Sequence, residues 1–364
     1  MEDVAGEAQT VVDASPDLKR ARRGNTEAPA TRTLGSGVYA LTTSEQGFGC
    51  MGITAFYGKP LPNDDAVALL KHAFSRGITH WDTAEAYQVK GENDSTIYNE
   101  DVLRKAIVEV GRENLQIATK YQPTLHDNKL TPELAVEACR ASCKRLGMDF
   151  VDLYYVHRLA TKTPVEDQAK SMKAVVEAGL AKFIGVSEFG IKNIRAFHEI
   201  CPITAVQQEW SLMNRDLEEE LVPTCRELGI GIVAYSPLCR SLLSGQVKTA
   251  SDLNGGTDDL RTSRYGRFAG NNLEQNALLV DEVSKLATHR GVSAAQLSLA
   301  WVAHQGSDVV PIPGTTKICH LNDNVDSLSV VLSSEDMALL AAAVPQDKVA
   351  GDRYCWANNT FKDN

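Results

Sequence analysis

The chain has no apolar run near the roughly eighteen residues that a membrane-spanning helix needs. Its polar, acidic N-terminus also lacks the apolar stretch of a signal peptide. A soluble, cytoplasmic protein without membrane contact is therefore expected. The eight cysteines (Cys50, Cys139, Cys143, Cys201, Cys225, Cys239, Cys319, Cys355) show no CxxC or zinc-ribbon spacing. A chain of 364 residues, 43% of them hydrophobic, buries enough core to need no disulfide staples, so the thiols read as reduced and core-facing. HExxH and clustered-carboxylate spacings are missing too, and no metal site is expected. Positive charge is in short supply: 37 Lys and Arg stand against 47 Asp and Glu, for a net charge of −10. That balance argues against a nucleic-acid-binding surface and leaves room only for a local basic pocket. Nothing in the composition sets an oligomeric state.

Residues 1–33 carry Ala, Glu, Asp, Thr and Pro with almost no aromatic or β-branched clustering, and are expected to form a disordered tail. Lys19, Arg20, Arg22 and Arg23 form a short basic cluster there, either a nuclear signal or anion patch or, as is commoner, a solvated charge run.

From residue 47 the chain alternates short β-branched runs with longer amphipathic stretches, the pattern of successive βα units. Eight strands are expected, at 47–53, 78–84, 115–120, 150–157, 182–188, 203–210, 231–237 and 308–314. Eight parallel strands with intervening helices predict one (β/α)8 TIM barrel over 34–345, with 346–364 as a C-terminal tail. Helix punctuation is legible: Asn63 and Asp64 open a run that closes at Gly77, and Thr131 with Pro132 opens one that closes at Gly147. A Gly/Asp/Arg-rich loop at about 251–272 is either a lid or cofactor clamp, or a tolerated surface insertion.

Gly47, Gly49 and Gly52 fit the spacing G-x-G-x-x-G, but no strand precedes them and the following ITAFYGKPLPN opens no amphipathic helix. A dinucleotide-binding βαβ unit is therefore rejected, and the glycines read as a small-residue first barrel strand that leaves room for a ligand.

Four ionisable groups stand at the ends of three expected strands: Asp82 and Tyr87 in WDTAEAY, Lys120 in IATKY and His157 in DLYYVHR. Barrel enzymes place catalytic groups at such C-terminal ends. Hydride addition to a carbonyl carbon leaves negative charge on the oxygen, so a proton donor must sit beside it. A tyrosine becomes a better donor when an adjacent ammonium favours its phenolate. Lys120 would supply that charge, Asp82 would hold Lys120, and His157 would orient the carbonyl by a hydrogen bond. Singly, each has a duller explanation: an ordinary tyrosine, a snorkelling lysine, a turn-forming aspartate, a core imidazole. Their joint placement is what carries the chemical reading.

The strings GFGCMG, HWDTAEAY, IATKY, DLYYVHR, IGVSEF, AVQQEWSL, VAYSPL, LSLAWVAHQG and VVPIPGTTK, in that order, resemble the aldo-keto reductase superfamily, and within it the auxin-induced-protein-like or pyridoxal-reductase-like branch. The resemblance runs from about residue 34 to 345 and implies NADPH-dependent reduction of a small aldehyde or ketone. It implies that Asp82, Tyr87, Lys120 and His157 are the catalytic four. It also assigns Ser187 and Gln207 to the nicotinamide carboxamide, Tyr235 to stacking on the nicotinamide ring, and Ser236 and Leu238 to the loop at the pyrophosphate. Gly314, Thr315 and Lys317 are implied at the adenosine phosphates, with Asp323 and Asn324 near the adenine. Alternatively, Tyr235 is a core aromatic and Lys317 the first-turn lysine of a surface helix.

The chain departs from the family pattern in three places. Glu188 stands where many members have Asn, Gln88 and an insertion (VKGENDST) follow Tyr87 where Gly is common, and His320 stands where many carry Arg. The same fold and four residues also resemble the β subunits of voltage-gated potassium channels, NADPH-binding partners of a membrane protein, which gives an alternative function. The tail has no apolar-tipped inactivation segment, and the strings sit closer to the soluble reductases.

Overall fold

A computed structural model of the protein describes residues 30–55, 60–91, 95–253 and 259–355. The basic cluster at residues 19–23 lies outside the described residues, as do parts of the loop at 251–272 and of the insertion after Tyr87.

All eight expected strands are present: β1 (Phe48–Gly49), β2 (His80–Asp82), β3 (Gln116–Tyr121), β4 (Val151–Val156), β5 (Ala181–Ser187), β6 (Ala205–Glu209), β7 (Gly231–Tyr235) and β8 (Val309–Pro311). They pair in chain order, each parallel to the next. The Gly47 amide donates to the Pro311 carbonyl at 2.9 Å and the Gly49 amide to the Pro313 carbonyl at 3.3 Å, joining the first strand to the last. β1 is shorter than expected because the chain turns at Met51–Ile53.

This seam explains the glycines. A Cβ on Gly49 would lie 2.7 Å from the Ile312 carbonyl oxygen, and one on Gly314 would lie 2.5 Å from that of Gly49. Two backbones approach closely here, and only residues without a side chain allow it.

Helices α1 (Asn63–Ser75), α2 (Asn99–Val110), α3 (Pro132–Leu146), α4 (Val165–Glu177), α5 (Ile191–Ile200) and α6 (Leu221–Glu227) follow β1 to β6. α7 (Leu260–Arg264), α8 (Asn272–His289) and α9 (Ala294–Ala303) lie between β7 and β8, and α10 (Ile318–Asp326) and α11 (Ser334–Ala343) follow β8. Their boundaries follow the local chemistry. The Thr131 hydroxyl accepts from the Leu134 amide at the start of α3, and Gly147, at φ 71°, ends it in the left-handed conformation. In α1, Ala66, Val67, Leu69, Leu70 and Ala73 are the buried stripe facing the sheet.

The expectation for the start of the chain is corrected. Thr31–Leu34, largely assigned to the tail, is a strand that pairs antiparallel with Leu41–Ser44. The hairpin inserts Leu34 and Leu41 among Leu153, Tyr155, Ala205 and Val233 and so caps the barrel at the end where β7 begins. Four residues are too few for their alternation to stand out in a polar sequence. The part of the C-terminal tail at 346–355 packs against the barrel: the Gln346 side chain donates to the Leu212 carbonyl at 2.9 Å, and Arg353 is 3% exposed. Six cysteines are buried as expected, whereas Cys319 and Cys355 are exposed.

Candidate active site

A cavity of about 600 Å³ opens at the C-terminal ends of the strands. Its wall includes Asp82, Tyr87 and His157 and every residue to which the resemblance gives a cofactor role: Ser187, Gln207, Tyr235, Ser236, Leu238, Gly314, Thr315, Lys317, Asp323 and Asn324. Lys120 lies behind this wall, fully buried.

β3 delivers the Lys120 ammonium between β2 and the turn after it. There it is ion-paired with the Asp82 carboxylate, donates to the Thr83 carbonyl at 2.7 Å and reaches the Tyr87 hydroxyl at 3.4 Å. The other Asp82 oxygen accepts from the Gln207 side-chain amide at 2.8 Å. Burial disfavours the Lys120 charge, but Asp82 and Tyr87 together outweigh it and hold the ammonium above its ordinary pKa. For Tyr87 the balance differs from the expectation. Burial raises the phenol, and Lys120, though acting in the expected direction, offsets only part of that rise. The hydroxyl is therefore firmly protonated while Lys120 lowers the cost of losing its proton.

His157 follows β4 and meets the Tyr87 ring edge-on, with centroids 5.8 Å apart at 84°. Burial, reinforced by Arg158 and Lys120, holds its pKa well below the ordinary imidazole value, so the ring is neutral. Its Nδ1 is buried without a hydrogen-bond partner among the described residues. A neutral ring with no acceptor at Nδ1 is assigned its proton at Nε2.

Of the residues assigned to cofactor, Gln207 already has one amide N–H engaged by Asp82, and the Ser187 hydroxyl accepts from Arg158 Nη1 at 3.2 Å. The Tyr235 hydroxyl donates to Glu188 at 2.8 Å. After β7, Ser236, Cys239, Arg240 and Ser241 all have φ between 46° and 75°. Left-handed conformations cost non-glycine residues about 1–2 kcal/mol each, and such strain concentrates where backbone is shaped around a ligand. Beyond β8, Lys317 is exposed just before α10, and no carboxylate among the described residues pairs with it.

Sequence reasoning missed a group of charges beside the cavity. Glu188, the departure from the family pattern, is gripped by Arg353 at 2.9 and 2.7 Å, and the Tyr354 hydroxyl sits 3.0 Å from that of Tyr235. Glu209 is held at 2.8 and 2.9 Å by Arg240, whose guanidinium covers the Tyr265 ring at 3.9 Å. Burial works against the Glu209 charge, but Arg240, Arg353 and Arg267 hold it below the usual carboxylate range. Glu188, as a departure from the family pattern, was the legible signal; nothing around Arg240 or Arg353 marks either as part of a site.

The family model described as "Aldo/keto reductase family" matches residues 47–345. The chain belongs to this family. The reductase is 44% identical over 328 residues to a probable aldo-keto reductase 1 of Glycine max, covering 87% of this chain and 90% of the relative. Among solved structures it is similar to a thermostable aldo-keto reductase determined with the inhibitor epalrestat (TM-score 0.68, 29% identity, 86% of this chain and 99% of the other). It is also similar to the glycerol dehydrogenase of Gluconobacter oxydans (TM-score 0.72, 25% identity, 86% and 94%). Family and neighbours make the reductase an oxidoreductase with a TIM-barrel-like fold. Among the described residues, no three metal-ligating side chains gather, and no helix is long and apolar enough to cross a membrane.

Proposed function

We propose that this reductase converts the carbonyl of a small aldehyde or ketone to an alcohol, with NADPH as the hydride donor and Tyr87 as the general acid. The observation that carries the reading is the buried Lys120 ammonium, bonded both to Asp82 and to the hydroxyl of Tyr87 in the cavity wall.

The residues present fit a phosphorylated dinucleotide. The cavity extends from Tyr87 past the left-handed turn at Cys239–Ser241 to Lys317, an ammonium with no carboxylate partner among the described residues. Lys317 would hold the adenosine 2′-phosphate, the turn after β7 would face the pyrophosphate, and Ser187, Gln207 and Tyr235 would hold the nicotinamide. When bound, the cofactor supplies the hydride to the carbonyl carbon.

The protein's part is the proton and its placement. His157 Nε2–H donates a hydrogen bond to the carbonyl oxygen and orients it. Tyr87 passes its hydroxyl proton to that oxygen as negative charge develops, and Lys120 stabilises the phenolate left behind. Asp82, fixed by Gln207, keeps Lys120 aimed at Tyr87. Steady loss of NADPH absorbance with a panel of aldehydes, ketones, quinones and pyridoxal tests the reading. NADPH oxidised only once per binding event, or not at all, overturns it.

A further inference from the structure

We propose that Arg158 selects carbonyl substrates that carry a carboxylate; this rests on the carbonyl-reduction reading. Arg158 directly follows His157 and lines the same cavity wall as Tyr87 and Ser187. Its Nη1 donates to the His157 carbonyl at 2.6 Å and to Ser187 Oγ at 3.2 Å. Nη2 and Nε have no partner among the described residues, and neither is sealed from the cavity.

Four other arginines of the region differ. Arg240 and Arg267 are paired with Glu209, Arg261 with Asp259 and Arg353 with Glu188. Glu188 is within electrostatic reach of Arg158, but Arg353 takes both of its oxygens and Tyr235 one of them again. Arg158 is thus a half-buried guanidinium that has lost part of its hydration without gaining a carboxylate. Such a group is matched by an anion that arrives with the ligand, and the planar guanidinium fork suits a carboxylate. Because Arg158 and His157 are adjacent and open to one cavity, the carboxylate and the reacting carbonyl belong to the same small molecule. The substrate class is carboxylate-bearing aldehydes and ketones.

The test compares para-carboxybenzaldehyde with para-nitrobenzaldehyde at saturating NADPH, reading the ratio of their kcat/KM values. Arg158 also touches Ser187 and His157, so absolute rates are free to change and the ratio is what decides. The full-length protein is expected to favour the carboxylate. Arg158→Met should lower the ratio by about 10- to 100-fold, as loss of a charge-assisted hydrogen bond requires. Arg158→Lys should keep part of the preference. A wild-type preference for the nitro compound, or an unchanged ratio in Arg158→Met, overturns the proposal. If the wild type reduces neither aldehyde, calorimetry with benzoate and benzamide tests Arg158 alone, and the carbonyl-reduction reading fails only if no carbonyl of the wider panel is reduced. Benzoate binding that is lost in Arg158→Met while benzamide binding is not supports the anion site; equal behaviour of the two probes rules it out.

Discussion

Arg353 and Glu188, 165 residues apart, form a buried two-pronged ion pair at 2.9 and 2.7 Å that anchors the C-terminal stretch to the end of β5. The Glu188 backbone is itself left-handed, at φ 58°, so the carboxylate is presented from a turn that glutamate adopts at some cost. The pair holds Tyr354 beside Tyr235 in the cavity wall.

Breaking that pair from one side strands a buried charge. Arg353→Met should destabilise the protein by about 3–5 kcal/mol. The double variant Glu188→Gln with Arg353→Met should recover much of the loss, since neither charge is then left alone. Urea denaturation of the three proteins checks this. A single variant as stable as wild type would mean that solvent reaches Glu188 freely.

Tyr87→Phe should reduce carbonyl turnover by about 100- to 10,000-fold and leave NADPH binding nearly intact. Burial raises the phenol above its ordinary pKa of 10.0, so the rate of reduction should stay level through neutral pH and fall only as pH rises through that elevated value. His157, with its pKa well below 6.5, is already neutral there and should add no change near that pH. Pre-steady-state rates across the pH range, with fluorescence titration of NADPH, measure both. A loss of only a few-fold would remove Tyr87 from the mechanism.

Lys317→Ala should weaken NADPH more than NADH. A charge-assisted hydrogen bond to the 2′-phosphate is worth about 1.5–3 kcal/mol, or roughly 10- to 150-fold. Lys317 is exposed, so screening should lower that preference, and added salt should erode it further. Kd values for both cofactors at two ionic strengths decide it. Equal weakening of the two would make Lys317 a surface-helix residue and withdraw the preference.

Gly49→Ala should destabilise the barrel by about 1–3 kcal/mol, because its Cβ would meet the Ile312 carbonyl at 2.7 Å and force β1 away from β8. A Gly49→Ala variant as stable as the wild type would show that the seam adjusts easily.

The eight strands were legible because most lie in short apolar or β-branched runs between amphipathic stretches, and the helices because caps such as Thr131 and stops such as Gly147 act on their own neighbours. Once eight parallel strands are granted, closure puts their C-terminal ends on one face, so residues as far apart as Asp82 and His157 could be assigned to one site before any contact was seen, whereas Gln207 was assigned through the family resemblance. Sequence could not say that burial outweighs Lys120 at Tyr87, or that His157 Nδ1 has no hydrogen-bond partner among the described residues, since both depend on what surrounds the groups in three dimensions. The hairpin cap and the Arg353–Glu188 pair were likewise decided by the tertiary structure alone: four-residue strands and a contact spanning 165 residues leave no periodicity in the chain, and their energy exists only when distant backbones have closed around them.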